Sequence, residues 1–245
     1  MGIYIAAAIA STIAIVLCGS IALRITDPAQ RRVLLAAFVL MLPMQPLAFY
    51  AVRLPILGLL QPALGAGAVM IAISLLAAPL TEEPAKWLAL SLKSVRRAIA
   101  SGNAMGMAIA AGLGFGIGEI WFLAEQLARL DAIKDIPFTE FSGFMIERVG
   151  VCLLHGLLLV PLFHAIAIGR GIALGAFIGM LAHLLANLPV LVLQSDLFGL
   201  GRVFWGNAIM LWLLAMIVAG LYALNIFSGR RLVRGYAPAV AATGE

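Results

Sequence analysis

The stretch AMGMAIAAGLGFGIGEIWFLAEQL, residues 104–127, carries two charges, Glu119 and Glu125, in 24 residues. As a helix it would rise about 36 Å, enough to cross the roughly 30 Å hydrocarbon core of a bilayer. A segment in that medium must satisfy its own backbone hydrogen bonds, so the stretch reads as a transmembrane helix. Working outward, six further segments are also long and apolar, at about 2–23, 33–52, 64–92, 143–169, 171–193 and 203–227. The composition agrees: of 245 residues, 64% are apolar and 11% charged. Soluble domains hold about 25% charged residues. This excludes an ordinary water-soluble enzyme and a disordered chain. Because Lys and Arg never run beyond pairs, the net charge of +5 does not describe a nucleic-acid-binding groove. The expected fold is an all-α, polytopic bundle of about seven transmembrane helices. It forms a single domain over 1–227, with a short cytoplasmic tail at 228–245.

Basic residues are retained on the cytoplasmic side, so alternate loops give an orientation. One set holds Arg24, Arg31, Arg32, Lys93, Arg96, Arg97, Arg170, Arg230, Arg231 and Arg234, and the other holds Arg53, Arg129, Lys134 and Arg202. The first set is larger, which predicts an outside N-terminus and a cytoplasmic C-terminus. The first span lacks a basic leader and is longer than a signal-peptide core, so it reads as an uncleaved helix. The apolar stretch 54–61 is too short to cross and reads as interfacial or re-entrant. Cys18 and Cys152 lie in apolar surroundings as small hydrophobes, not as a disulfide framework.

Charges near the bilayer centre cost at least about 2.5–3.5 kcal/mol each, so ionisable residues at that depth are functional candidates. All four aspartates fall in loops. At span depth remain Glu82, Glu83, Lys86, Glu119, Glu147, Arg148, His155, His164, His183 and Asn187. In Thr81-Glu-Glu-Pro-Ala-Lys86, helical spacing puts both Glu82 and Glu83 within reach of Lys86. Adjacent carboxylates in a low dielectric cannot both ionise cheaply. One lysine neutralises one of them, leaving the other as an unpaired or protonated acid suited to general acid–base work. Gly112/Gly116 and Gly114/Gly118 are four apart and permit close helix approach, with Glu119 ending that tight face. Arg148 and His155 are two turns apart on one face, whereas His164 lies about 180° round the same helix. His155 is therefore the better candidate for a central site. His183 and Asn187 are four apart, with Gly175 and Gly179 extending their face.

Peptide-bond hydrolysis inside a membrane needs a water, a base and donors for the tetrahedral oxyanion. A glutamate with His155 supplies the first two requirements, and His183 with Asn187 the third. There is no H-E-x-x-H for zinc, no intramembrane aspartate dyad and no serine nucleophile motif. A glutamate and two histidines could hold a metal, but the two histidines lie on different spans. No metal and no other cofactor is expected.

The order Glu-Glu-x-x-Lys (Glu82, Glu83, Lys86), Gly-x-Gly-Phe-Gly-x-x-Glu (Gly112 to Glu119), an isolated His155 and His-x-x-x-Asn (His183, Asn187) resembles the PrsW family. These are glutamic-type intramembrane proteases related to the CAAX-processing and bacteriocin-processing endopeptidases. The resemblance covers about residues 70–190. It implies that Glu82 activates the water, that Glu83 assists or holds Lys86, and that His155 positions the water. It further implies an oxyanion hole from His183 and Asn187, with Glu119 in support. The wider superfamily commonly has Glu-Glu-x-x-x-Arg and Phe-x-x-x-His; here Lys86 replaces the arginine and Val151 the phenylalanine, and Ile120 follows Glu119 where an asparagine is expected. The implied partners are a membrane-anchored protein or peptide substrate and the lipid bilayer, with no nucleic acid, and the implied location is a prokaryotic plasma membrane. Two other classes fit the buried charges: a proton- or ion-coupled transporter, against which stands the lack of an inverted repeat, and an inactive protease relative serving as a scaffold.

Overall fold

The apolar segments are helical in the computed structural model, which describes residues 1–65, 67–195 and 201–235. Every regular element among the described residues is a helix: α1 (Gly2–Arg24), α2 (Arg31–Met41), α3 (Met44–Leu47), α4 (Leu54–Leu64), α5 (Ala68–Trp87), α6 (Lys93–Ala98), α7 (Ala104–Ala128), α8 (Ser142–Ile168), α9 (Ile172–Ser195) and α10 (Gly201–Gly235). Wide turns at Ala48–Arg53 and Ile99–Asn103 join α3 to α4 and α6 to α7. Among the described residues, six runs are long and apolar enough to cross a membrane: Gly2–Arg24, Pro28–Leu64, Lys93–Ala128, Phe138–Ile168, Ile172–Val190 and Val203–Ile226. A seventh long helix, α5, has 20 residues and carries Glu82, Glu83 and Lys86 near its C-terminus. The chain is therefore an all-α integral membrane protein.

Two boundaries differ from expectation. The second span does not stop at 52: the helical run Pro28–Leu64 takes in Arg53 and the 54–61 stretch. Pro43 and Pro46 interrupt its hydrogen-bond ladder, and the wide turn at Ala48–Arg53 then carries Arg53 inward, where it is 9% exposed. Pro55 follows at the start of α4, where its missing N–H costs little. The second difference is α10, which continues through 228–235 to Gly235. The rest of the expected tail, 236–245, lies outside the described residues, as does Asp196.

The centre of the bundle is α7, in which every residue from Ala104 to Ile117 is buried. Its glycines face two neighbours. A Cβ on Gly112 would overlap the backbone of Gly156 in α8, and one on Gly116 would lie 2.8 Å from Cys152 Cα. On the other face, Cβ atoms on Gly114 and Gly118 would overlap the carbonyl oxygens of Phe38 and Leu42. The stripe Ala6, Ala7, Ala10 and Ala14 of α1 is fully buried in the same core. Next, α9 presses on α8, since Cβ atoms on Gly175 and Gly179 would each come within 2.6 Å of a carbonyl oxygen, those of Pro161 and Leu158. With no hydrophobic drive between helices in lipid, such small-residue contacts let van der Waals packing hold the bundle. They also wedge α8 tightly between α7 and α9, which is what sets the separation of His155 and His183.

Pro189 cannot donate to the carbonyl of Leu185, four residues earlier. That carbonyl accepts instead from Trp212 Nε1 of α10, at 2.8 Å. A backbone group freed inside a bilayer is thus re-satisfied by a neighbouring helix. The outward faces carry exposed Leu59, Phe177, Leu211 and Leu214, which suits contact with lipid.

Candidate active site

The end of α5 places Glu82, Glu83 and Lys86 at 3%, 1% and 0% exposure. Of the two spacings that reach Lys86, the fold uses the shorter: its ammonium pairs with Glu83. The same Glu83 oxygen accepts a second hydrogen bond, 2.6 Å from His183 Nδ1 of α9. Lys86 Nζ also sits over the Phe115 ring of α7, 4.9 Å from its centroid.

Glu82 does not lack a cation, as the sequence had led us to expect. Arg53 pairs with it through Nη2 and donates from Nε to Thr81 Oγ1 at 3.3 Å, while the guanidinium lies 5.6 Å from the Phe49 ring. Arg53 was counted above as an outer-loop residue. A readable signal existed: it is the only charged residue in the whole stretch 33–81, which is hard to reconcile with a solvated loop. The other oxygen of Glu82, Oε2, faces His183 Nε2 at 3.7 Å.

The second half of the site comes from α7 and α8. Two turns apart on one face of α8, Arg148 and His155 both reach Glu119 of α7. The Arg148 guanidinium is 3.1 Å from Glu119 Oε1, and His155 Nε2 is 2.7 Å from Oε2. Arg148 also donates from Nε to the half-buried Glu147 at 2.9 Å. The Phe115 ring packs edge-on against His155 at 5.0 Å, and the two imidazoles meet edge-on at 5.7 Å. Phe115 thus fills the space between Lys86 and His155, a role not foreseen from the sequence.

Helices α5, α8 and α9 converge on one buried point, where Glu82, His155 and His183 each offer a ligand-type atom within 4.8 Å of the others. These are also the described residues that could hold a metal. The tautomers follow from the neighbours. Glu83 is paired with Lys86 and Glu119 with Arg148, so each carboxylate accepts, and the ring nitrogen facing it must carry the proton. In the neutral imidazoles the remaining nitrogens, His183 Nε2 and His155 Nδ1, are then bare lone pairs. His155 Nδ1 is buried with no hydrogen-bond partner among the described residues, and so is Glu83 Oε2.

Asn187 lies one turn beyond His183 and is half-buried, with no side-chain hydrogen bond among the described residues. Its amide is therefore uncommitted among the described residues. His164, on the other side of α8, is half-buried and not part of the cluster described here. No family model, curated protein or solved structure matches the chain. The functional reading therefore comes from the chemistry of these side chains.

Proposed function

We propose that this protein is an intramembrane endopeptidase that hydrolyses a peptide bond of a membrane-anchored protein, in the manner of the PrsW family of glutamic-type proteases. The observation that carries the reading is the meeting of one carboxylate and two imidazoles at a buried point, each imidazole oriented by its own carboxylate. Purely structural ion pairs would not explain why His155 Nδ1 is kept buried without a hydrogen-bond partner among the described residues.

A water at that point would donate to Glu82 Oε2 and to a bare imidazole nitrogen. It would thereby be aligned and partly deprotonated for attack on a peptide carbonyl. The proton taken up makes the histidine a donor. His183 in that state, with the amide of Asn187 one turn away, would supply hydrogen bonds to the developing oxyanion. Return of the proton to the departing amine completes the cleavage. Lys86, Arg148 and Arg53 hold the three carboxylates in place and offset their charge at a depth where unpaired ions are costly. With Arg53 drawn inward, the contrast between the two basic sets widens, which favours an outside N-terminus and a cytoplasmic C-terminus; the resemblance to the PrsW family favours a prokaryotic plasma membrane.

Glu82→Gln and His183→Ala should each lower cleavage of a co-expressed membrane-anchored substrate by about 10²–10⁴-fold, the usual worth of a positioned acid–base group. Both variants should still accumulate in the membrane. Substrates are found by comparing membrane proteomes of cells carrying the wild type or Glu82→Gln, as fragments that appear only with the former. Undiminished cleavage by both variants overturns the reading.

A further inference from the structure

The connection from α1 to α2 carries Arg24, Arg31 and Arg32, and the connection from α5 to α7 carries Lys93, Arg96 and Arg97. All six are exposed, and the only acid in either stretch is Asp27. We propose that the two connections together bind the headgroup of an anionic phospholipid, and that a lipid with two phosphates, of the cardiolipin class, binds best. This surface is separate from the Glu82 cluster, and the proposal stands whether or not the protein cleaves peptides.

The two connections form one surface because the chain ties them together. The Asp27 N–H donates to Asn103 Oδ1 at 2.8 Å. Asn103 is itself buried, and its Nδ2 donates to Ser101 Oγ at 3.3 Å. Beside this clasp Thr26, 3% exposed, lies so close to α7 that a Cβ on Gly106 would overlap its hydroxyl. Helix α6 packs against α2, with Val95 and Ala98 buried in the same core as Leu34 and Ala37. Helical spacing then puts Lys93, Arg96 and Arg97 together on the opposite, exposed stripe of α6. Arg96 is further fixed by donating from Nη1 to the carbonyls of Leu90 and Ser91.

Charge argues for an anion from outside the chain. None of the six cations pairs with a carboxylate among the described residues. One oxygen of Asp27 is already taken by the Ala29 N–H, at 2.9 Å. The connection from α7 to α8 is built differently: Arg129 pairs with Glu125 at 3.2 Å and Lys134 with Asp131 at 2.5 Å. Retention of basic residues on one side explains their sign. It does not explain why six unpaired cations are tied into one surface where they repel one another.

The apolar neighbours decide which anion. Leu23 precedes Arg24, Leu35 lies one turn from Arg31 and Arg32, and Leu88 opens the second connection; all three are exposed. A phosphate seated on the cations is therefore flanked by lipid-facing side chains, which suit acyl chains and have no counterpart in a free phosphate or a polynucleotide. Basic pockets beside spans hold headgroups of this kind. Two arms of three cations each match two phosphates better than one.

The test uses full-length protein in a neutral detergent, titrated with cardiolipin, phosphatidylglycerol or phosphatidylcholine, with bound lipid counted by native mass spectrometry. Cardiolipin should be retained about tenfold or more tightly than phosphatidylcholine, with phosphatidylglycerol between them. Each cation near an anionic headgroup is worth about fivefold, so Arg31→Gln with Arg32→Gln, and Lys93→Gln with Arg97→Gln, should each weaken cardiolipin binding about 25-fold. Arg129→Gln should change nothing. Asn103→Ala keeps every charge but unties the clasp, and should weaken binding about tenfold through lost pre-organisation. Arg170→Gln, a cation outside the clasp, should leave binding intact. The glutamine pairs lie on the surface, so they decide the matter even where Asn103→Ala fails to fold in a thermal melt. Equal retention of neutral and anionic lipid overturns the site. A loss in Arg170→Gln as large as in Arg31→Gln alone, with folded Asn103→Ala unaffected, also overturns it, because diffuse charge then suffices. Displacement of cardiolipin by an equal concentration of inorganic phosphate overturns the lipid reading and assigns the surface to a soluble anion.

Discussion

Replacing Arg53 by methionine keeps the length and apolar stem of the side chain but removes the guanidinium from Glu82 and Thr81. Glu82 is 3% exposed, and its other near neighbour, His183 Nε2 at 3.7 Å, is a bare nitrogen that offers no proton. Leaving a buried charge without its partner costs about 3–5 kcal/mol. Methionine keeps the packing of the arginine stem, so Arg53→Met should destabilise by the lower part of that range, about 3–4 kcal/mol. Adding Glu82→Gln removes the orphaned charge. The double variant should then recover about 2–3 kcal/mol, leaving only neutral hydrogen bonds lost. The four tryptophans report unfolding in a detergent-solubilised thermal melt. At about 2–4 °C per kcal/mol for a chain of this size, the single variant should melt about 6–16 °C below wild type and the double variant well above the single. If Arg53→Met melts within about 3 °C of wild type, or Glu82→Gln fails to rescue it, Arg53 is not the partner that holds Glu82.

Two further substitutions test the frame around the site. Gly112→Ala drives a methyl into the Gly156 backbone and should cost about 1–3 kcal/mol by overpacking. Gly19→Ala meets nothing within 4 Å and should melt like the wild type; equal effects would refute the close α7–α8 approach. Trp212→Phe removes the donor to the Leu185 carbonyl and should cost about 1 kcal/mol. In a Pro189→Ala background the backbone N–H returns and the cost should shrink, so an identical loss in both backgrounds would refute the indole's role.

The helices could be read from the sequence because the bilayer leaves the backbone few alternatives, and spans of about 20 apolar residues then follow from length alone. The glycine pairs were equally legible: four-residue spacing predicts a flat face, and Gly112/Gly116 and Gly114/Gly118 each make one. Pairing was not legible. Glu82 and Glu83 both reach Lys86 by helix geometry, and only the approach of α9 decides that Glu83 shares its oxygen with Lys86 and His183. Arg53 was missed for a different reason. Counting basic residues by loop treats every cation between two spans as solvated. An arginine isolated in 49 residues without another charge can instead be drawn inward by a carboxylate on the next helix.

The histidines show why even a correct list of residues leaves the chemistry open. Which nitrogen of an imidazole is basic depends on what the other one meets, and the partners come from separate helices. Glu83 on α5 takes His183 by Nδ1, whereas Glu119 on α7 takes His155 by Nε2. The opposite choices leave His183 Nε2 facing Glu82 Oε2 at 3.7 Å and His155 Nδ1 buried without a hydrogen-bond partner among the described residues. Each arm also carries its own cation, Lys86 on one and Arg148 on the other, so neither carboxylate needs a proton from the centre. Between Glu82 Oε2 and His183 Nε2, 3.7 Å apart, a water therefore meets acceptors only, and both draw on its protons. Which of the two takes the first proton is read from the separate losses of cleavage in Glu82→Gln and His183→Ala, the larger loss marking the base.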